Sequence, residues 1–124
     1  LEMVKCVVRK QKVYIFAGSK LTVLRKTDGK KLWTLKNISP AGYVLTFDKS
    51  DNLYVTGYYE DIIFKISRTG HILWKSRIDS YEYYWPMILK VSGKKLTIRF
   101  AFNEGRNKHR AVLSTQTGNL ISLR

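Results

Sequence analysis

Short, mostly apolar runs separated by polar turn-forming segments recur along the chain and predict an all-β fold. The runs Val13–Ala17 and Leu53–Thr56 are rich in β-branched and aromatic residues, which strands favour. Segments of turn-forming residues, such as Lys49–Asn52 and Ser92–Lys94, separate the runs. No run approaches the roughly 18 consecutive apolar residues of a membrane span, so the sequence predicts no transmembrane segment.

The pattern repeats three times, and each unit holds four predicted strands, A to D. Gly29 and Gly70 are 41 residues apart, as are Trp33 and Trp74, whereas Gly70 and Gly118 are 48 apart. A period near 40 residues that contains several short strands is typical of β-propeller blades. We therefore predict one repeat domain of three four-stranded antiparallel blades. It is expected over residues 1–124, with blades at about 1–41, 42–80 and 81–124.

The predicted strands follow from the same runs. In chain order they are Val4–Arg9, Val13–Ala17, Leu21–Arg25, Lys31–Lys36, Tyr43–Phe47, Leu53–Thr56, Ile62–Ile66, Ile72–Ser76, Met87–Val91, Leu96–Phe102, Ala111–Ser114 and Leu120–Leu123. Each predicted turn between strands C and D contains a glycine, because a tight turn needs a residue with positive φ.

Two tryptophans follow these turn glycines by four residues and lie in strand D. We expect both indole rings to pack between neighbouring blades, where a large ring buries much apolar area. The third unit has Ser122 at the matching position. The predicted structural repeat residues are Gly29, Trp33, Gly70, Trp74 and Gly118.

The segments Thr27–Trp33 (TDGKKLW) and Arg68–Trp74 (RTGHILW) share a turn glycine followed by a short strand that ends in tryptophan. Together with Tyr54–Gly57 (YVTG), they resemble the PQQ-like β-propeller repeat over nearly the whole chain. The resemblance implies a propeller fold. Propellers typically have about 4–8 blades, so three blades imply either a longer chain or a homo-oligomer, such as two halves of a six-bladed ring.

The quinone-dependent dehydrogenases of this fold carry a vicinal cysteine pair and an acidic calcium site. This chain has one cysteine, Cys6, and nine acidic residues, so we expect no cofactor, no metal site, no catalytic residue and no enzyme activity. Cys6 lies in a strand-like run and is expected to be a small buried hydrophobe. His71 and His109 are expected on opposite faces, which predicts no shared metal site.

The formal charge of +14 is distributed unevenly along the chain. The first unit carries +8, the second is neutral and the third carries +6. Nine acidic residues cannot pair with most of the 23 basic ones. Such a field favours an anionic partner, namely nucleic acid, anionic lipid or an acidic protein. A solvated lysine-rich surface accounts for it equally well.

The D–A and B–C loops of a propeller lie on one face, where ligands usually bind. In this chain those loops combine aromatic and basic residues, which stack on bases and pair with phosphates or form protein-binding hot spots. Packing between blades is the alternative role for several of the tyrosines. The predicted partner-binding residues are Lys20, Tyr58, Tyr59, Tyr83, Tyr84, Arg106, Lys108, His109 and Arg110.

These observations predict a non-catalytic propeller-repeat module for macromolecular binding or assembly, with protein as the expected partner. One alternative is nucleic-acid binding through the basic surface. Another is a fragment of a quinone-dependent oxidoreductase-like propeller. Nothing in the sequence indicates a compartment.

Overall fold

The computed structural model describes residues 4–38, 41–57, 62–77, 86–100 and 110–123. The described regular structure consists of twelve strands. They are β1 (Val4–Arg9), β2 (Lys12–Ala17), β3 (Lys20–Arg25), β4 (Lys31–Lys36), β5 (Ala41–Phe47), β6 (Leu53–Gly57), β7 (Ile62–Ile66), β8 (Ile72–Arg77), β9 (Pro86–Ser92), β10 (Lys95–Phe100), β11 (Arg110–Ser114) and β12 (Leu120–Leu123). Within these ranges, no helix is long and apolar enough to cross a membrane.

The strands form three antiparallel sheets of four, each following the chain in order: β1 to β4, β5 to β8 and β9 to β12. This confirms the predicted fold class. Every predicted strand is present, with ends that differ by at most two residues over the described part of the chain. The last two residues of the predicted run Leu96–Phe102 lie outside the described residues.

The glycine in each C–D turn adopts the left-handed conformation that the sequence predicts. The φ angles are +73° at Gly29, +96° at Gly70 and +77° at Gly118. The N–H of Gly29 donates to the carbonyl of Arg25, four residues earlier, and Gly118 repeats this bond with Ser114, both at 2.8 Å. In the second sheet Gly70 bonds only three residues back, at 3.0 Å. The second turn is therefore shorter by one residue.

Two apolar clusters hold the three sheets together in the order first, second, third. The first cluster joins the first and second sheets through Tyr14, Phe16, Leu21, Val23, Ile38, Leu53, Val55, Phe64 and Ile66. The second joins the second and third sheets through Tyr54, Ile63, Leu89, Leu96, Ile98, Ala111 and Leu113. Alternate residues of β6 enter different clusters because successive side chains of a strand point to opposite faces.

Among the described residues, the second sheet is covered on both faces, whereas the first is covered on one face. Leu53, Tyr54 and Val55 are each at most 1% exposed, so β6 forms a continuous apolar run, as doubly covered strands do. In the first sheet, the face turned away from the second sheet carries apolar side chains that are exposed in β1 and half-buried in β2 and β3. We call this the open face. Its apolar members include Val4, Cys6, Val8, Val13, Ile15 and Leu24, and the pairing register places Lys20, Thr22 and Thr34 on the same face.

The open face corrects one expectation from the sequence. Cys6 is exposed, although its strand-like surroundings predict a buried residue. Cys6 pairs directly with Ile15, and Val8 pairs with Val13, so all four side chains lie on the face that no described element covers. The local sequence is that of a buried strand, and Cys6 is exposed because no described element covers this face.

Candidate functional site

Two of the nine predicted partner-binding residues lie in the described part of the chain. Lys20 begins β3 and Arg110 begins β11, and both side chains are exposed. Both stand at the B–C ends of their sheets, with the second sheet between them. No contact between the two is described. The other seven lie outside the described residues, and their roles stay predictions: Tyr58, Tyr59, Tyr83, Tyr84, Arg106, Lys108 and His109.

The junction between the first and second sheets is built around Trp33. Its indole lies so close to Gly70 that a Cβ added there would be 2.6 Å from the ring carbon Cδ2. The indole N–H donates a hydrogen bond to the backbone carbonyl of Arg68 at 3.0 Å. The Nζ of Lys12 donates to the same carbonyl at 3.2 Å. One turn of the second sheet therefore receives both a ring and two donors from the first.

The junction between the second and third sheets repeats this arrangement with Trp74. A Cβ added to Gly118 would be 2.6 Å from the ring carbon Cε3 of Trp74. The indole N–H donates to the carbonyl of Thr115 at 2.9 Å, and the Nζ of Lys65 donates to the same carbonyl at 2.7 Å. Lys12 and Lys65 come from different strands, so no sequence motif indicates this shared use of a lysine.

The two tryptophans occupy the same position in the ladders of their sheets. Trp33 pairs with Val23 of β3, and Trp74 pairs with Lys65 of β7. In both ladders the register shifts immediately after that partner residue. In the third sheet this position belongs to Ser122, which lies opposite Val112. The pairing register therefore agrees with the sequence alignment, which matches Ser122 to Trp33 and Trp74. The third sheet has a hydroxyl at the position where the other two have an indole.

The C–D turn of each sheet has a left-handed glycine and, a few residues before it, a backbone carbonyl. In the second and third sheets this carbonyl accepts the indole hydrogen bond, so we call the turn the acceptor turn, and the first sheet has the same turn. The N–H of Lys26 donates to the carbonyl of Gln11, just as the N–H of Thr115 donates to that of Lys94, so Lys26 and Thr115 are equivalent. No described atom lies within 4 Å of a Cβ built on Gly29. No described donor reaches the carbonyl of Lys26. The acceptor turn is present in the first sheet, with no described ring on it.

The face of the third sheet that turns away from the second is polar, in contrast to the open face. We call it the far face. It consists of Lys90, Thr97, Arg99, Val112 and Ser122, as the pairing register places them. The side chains of Lys90 and Arg99 are exposed. The two ends of the stack therefore differ in chemistry.

A charged cluster links the A–B turns of the first and second sheets. Asp51 Oδ1 lies 3.1 Å from Nη2 of Arg9 and 2.9 Å from Nζ of Lys10. The guanidinium carbon of Arg9 also lies 4.5 Å from the centroid of the Phe47 ring. The hydrogen bond from Lys10 is the main cause that lowers the pKa of Asp51. The repeat period is the only sequence signal that could have related Arg9 to Asp51, which are 42 residues apart.

A depression of about 250 Å³ lies beside this cluster. Its walls are Arg9, Lys10, Gln11, Lys12, Tyr14 and Asp51. The three basic residues outnumber the single carboxylate, so the depression is electropositive. It lies on the side of the A–B turns, opposite the B–C ends of the sheets where Lys20 and Arg110 stand.

Asp48 organises the A–B turn of the second sheet. Its carboxylate accepts hydrogen bonds from the backbone N–H of Ser50 at 2.9 Å and from that of Asn52 at 3.0 Å. The side-chain amide of Asn52 and the hydroxyl of Tyr54 also donate to it, at 3.0 and 2.9 Å. Burial acts to raise the pKa of Asp48, but these hydrogen bonds lower it below its ordinary value. Burial, and then the bond to Asp48, raise the pKa of Tyr54.

Metal-binding side chains do not cluster in the described ranges. Among those residues, no group of three or more His, Cys, Asp or Glu side chains could hold a metal ion. His71 is exposed in the C–D turn of the second sheet, and His109 lies outside the described residues.

Comparison with known proteins identifies the fold. No protein-family model and no curated protein sequence matches this chain. The quinohemoprotein alcohol dehydrogenase from Comamonas testosteroni superposes with a TM-score of 0.69 at 14% identity, over 97% of this chain and 20% of that one. A europium-containing methanol dehydrogenase gives a TM-score of 0.71 at 16% identity, over 95% and 23%. BBS1N, solved in complex with ARL6DN, gives 0.60 at 17%, over 98% and 39%.

At these identities the similarity concerns the fold alone. The chain spans between a fifth and two fifths of the length of the three proteins. The three proteins are β-propeller neighbours, and the similarity shows that the three four-stranded sheets of this chain have a propeller-type fold.

Proposed function

We propose that this chain is a non-catalytic propeller-repeat module for macromolecular assembly, and that its partner is a protein. The observation that carries the proposal is the open face. Val4 and Val8 are 62% and 58% exposed there, and Cys6 is exposed between them. A contiguous apolar face on a soluble module marks a protein-binding surface, because water excludes it.

The charge of the chain adds a preference for an acidic partner. In the described part of the chain, Asp28 and Asp51 form ion pairs with Arg9, Lys10 and Arg25. Since the chain has 23 basic and nine acidic residues, its own carboxylates cannot neutralise most of the basic side chains. Charge complementarity of this kind accelerates association and selects among partners. BBS1N, which shares the fold, is itself solved with a second protein.

Site-specific photocrosslinking in the source cells tests the proposal. A photoreactive residue replaces Val8 on the open face, and a matched variant carries it at Thr69, which is exposed in a C–D turn. We expect irradiation to link position 8 to a protein and position 69 to give little adduct. Equal adducts at both positions, or none at position 8, would contradict a binding role for the open face.

Nucleic-acid binding is the second candidate, because the net charge of +14 would attract a phosphate backbone. Fluorescence anisotropy with a single-stranded oligonucleotide tests it. If it is correct, affinity falls steeply with salt, and the triple variant R106A/K108A/R110A weakens binding further. An affinity that is weak at low salt, or unchanged in the triple variant, removes this candidate or its assignment to the loop side.

A further inference from the structure

The two internal junctions follow one rule, in which a tryptophan of one blade covers the turn glycine of the next. At both junctions the indole N–H also bonds a turn carbonyl of the next blade, at 3.0 and 2.9 Å. The first blade has the equivalent glycine, Gly29, and the equivalent carbonyl, that of Lys26. Among the described residues, no ring or donor occupies them. The first blade is thus built to receive a tryptophan.

The open face has the composition of a face that another blade covers. Val13 and Ile15 stand at the register positions of Leu53 and Val55 in the second blade. Leu53 and Val55 are 1% and 0% exposed because the first blade covers them. Leu24 likewise matches Ile66, whereas Thr22 stands where the second blade has Phe64. At three of these four positions the open face therefore presents the kind of aliphatic side chain that the first blade covers on the second.

The far face of a second copy of this chain lacks what the open face requires. Ser122 replaces the indole, so the carbonyl of Lys26 and the surface of Gly29 would gain no ring. Lys90 and Arg99 would be carried onto the open face, which already has the cation Lys20 at its edge. Burying cations without acidic partners opposes association, and the open face contains no carboxylate.

We infer that the open face docks a propeller blade whose fourth strand carries tryptophan at the position of Trp33 and Trp74, and not a second copy of this chain. The inference rests on the proposed assembly function and deepens it by naming the partner's chemistry. The indole of the docked blade covers Gly29 and donates to the carbonyl of Lys26. Its aliphatic and aromatic face covers Cys6 and Val8.

A fusion of the full chain with one added blade tests the inference. A copy of residues 41–80 is placed ahead of residue 1 through a short Gly-Ser linker. The copy contains Trp74 and no cysteine, so Cys6 stays the only thiol. The rate at which Ellman's reagent modifies Cys6 reports coverage of the open face. We expect the added blade to slow this reaction by about tenfold or more, through protection against local opening.

Two matched fusions separate tryptophan docking from simple crowding. One carries Trp74→Ala in the added copy only, and the other adds a copy of residues 86–123, which has Ser122 in place of the indole. Both are expected to leave Cys6 nearly as reactive as in the chain alone. Equal protection by either fusion would overturn the inference. If the copy of residues 41–80 gives no protection, a copy of residues 4–36 with Cys6→Ser replaces it, and failure of both overturns the inference.

Light scattering gives the second readout. We expect the chain alone to have the mass of a monomer at moderate salt. A dimer that Val8→Glu dissociates would overturn the inference, since the second copy would then be the occupant. If a protein is photocrosslinked at position 8 but none of the added blades protects Cys6, the proposed assembly function is supported. The same result excludes a tryptophan-bearing blade as the partner.

Discussion

Trp74 donates its indole N–H to the backbone carbonyl of Thr115 at 2.9 Å, across the junction between the second and third blades. Lys65 donates to the same oxygen at 2.7 Å, which a carbonyl accommodates because it has two lone pairs. The ring meanwhile lies on Gly118. Sliding one blade along the other would break all three contacts. The junction therefore fixes the relative position of the blades, beyond what apolar burial requires.

Replacing Trp33 should separate the ring's contribution from that of its N–H group. Trp33→Ala removes a large, partly buried ring and is expected to lower the free energy of unfolding by about 3 kcal/mol. Trp33→Phe keeps an aromatic ring but loses the bond to Arg68, which should cost about 1 kcal/mol. Urea denaturation measures both. Leu32→Ala, on the exposed side of the same strand, serves as the control and should change stability by less than about 1 kcal/mol.

Gly70 and Gly29 form a natural matched pair. Alanine at either position meets the cost of a positive φ, about 1 kcal/mol. At Gly70 the new Cβ also collides with Trp33, whereas at Gly29 no described atom lies within 4 Å. Gly70→Ala should therefore lose about 1–3 kcal/mol more than Gly29→Ala. In a Trp33→Ala background the difference should vanish. Equal losses in the wild-type background would exclude the ring contact as the reason for this glycine.

The ammonium of Lys65 should stabilise the junction through its bond to Thr115. Lys65→Met keeps a chain of similar length but removes the donor, so we expect a loss of about 1 kcal/mol. Lys75, exposed on β8, provides the control substitution Lys75→Met. Thermal denaturation of both variants measures the difference. If both behave alike, the bond from Lys65 contributes nothing to stability.

Acid should destabilise the protein through Asp48 and Asp51. The pKa of each carboxyl lies below its ordinary value of 3.8 in the folded state. Between the two values the unfolded chain binds more protons, so the stabilisation is present above pH 3.8 and is lost as pH falls through the lowered pKa. Urea midpoints measured from about pH 6 down to pH 2 should show this decline. Asp48→Asn should be less stable at neutral pH and show a shallower decline, and an unchanged slope would contradict the role of Asp48.

The sequence predicts the strands and turns well because each depends on local chemistry. Short apolar runs rich in β-branched and aromatic residues identify β2 and β6, and a glycine with positive φ is needed in every C–D turn. Partners across the junctions could not be predicted, since the acceptor of Trp33 is a backbone carbonyl, and any residue type could supply it. The exposure of Cys6 could not be predicted either. The sequence pattern of β1 is that of a covered strand, and the pattern alone does not show whether another element packs on its outer face.

The structure places all the predicted repeat residues at the C–D turns and blade junctions, whereas it describes only two of the predicted partner-binding residues. Lys20 and Arg110 are placed and exposed, and their partner-binding role stays a prediction. The acceptor turn of the first blade and the open face carry the functional proposal in their place. Comparison of equivalent positions in three blades reveals them, and a single blade would not.

Hydrogen exchange at the indole N–H groups tests the central claim, that tryptophan-to-turn contacts hold the blades in one stack. We predict that the indole protons of Trp33 and Trp74 exchange with deuterium as slowly as the backbone amides of β2 and β6, and that Gly70→Ala accelerates exchange at Trp33 more than at Trp74. Exchange of both indoles at the rate of free tryptophan would contradict the claim.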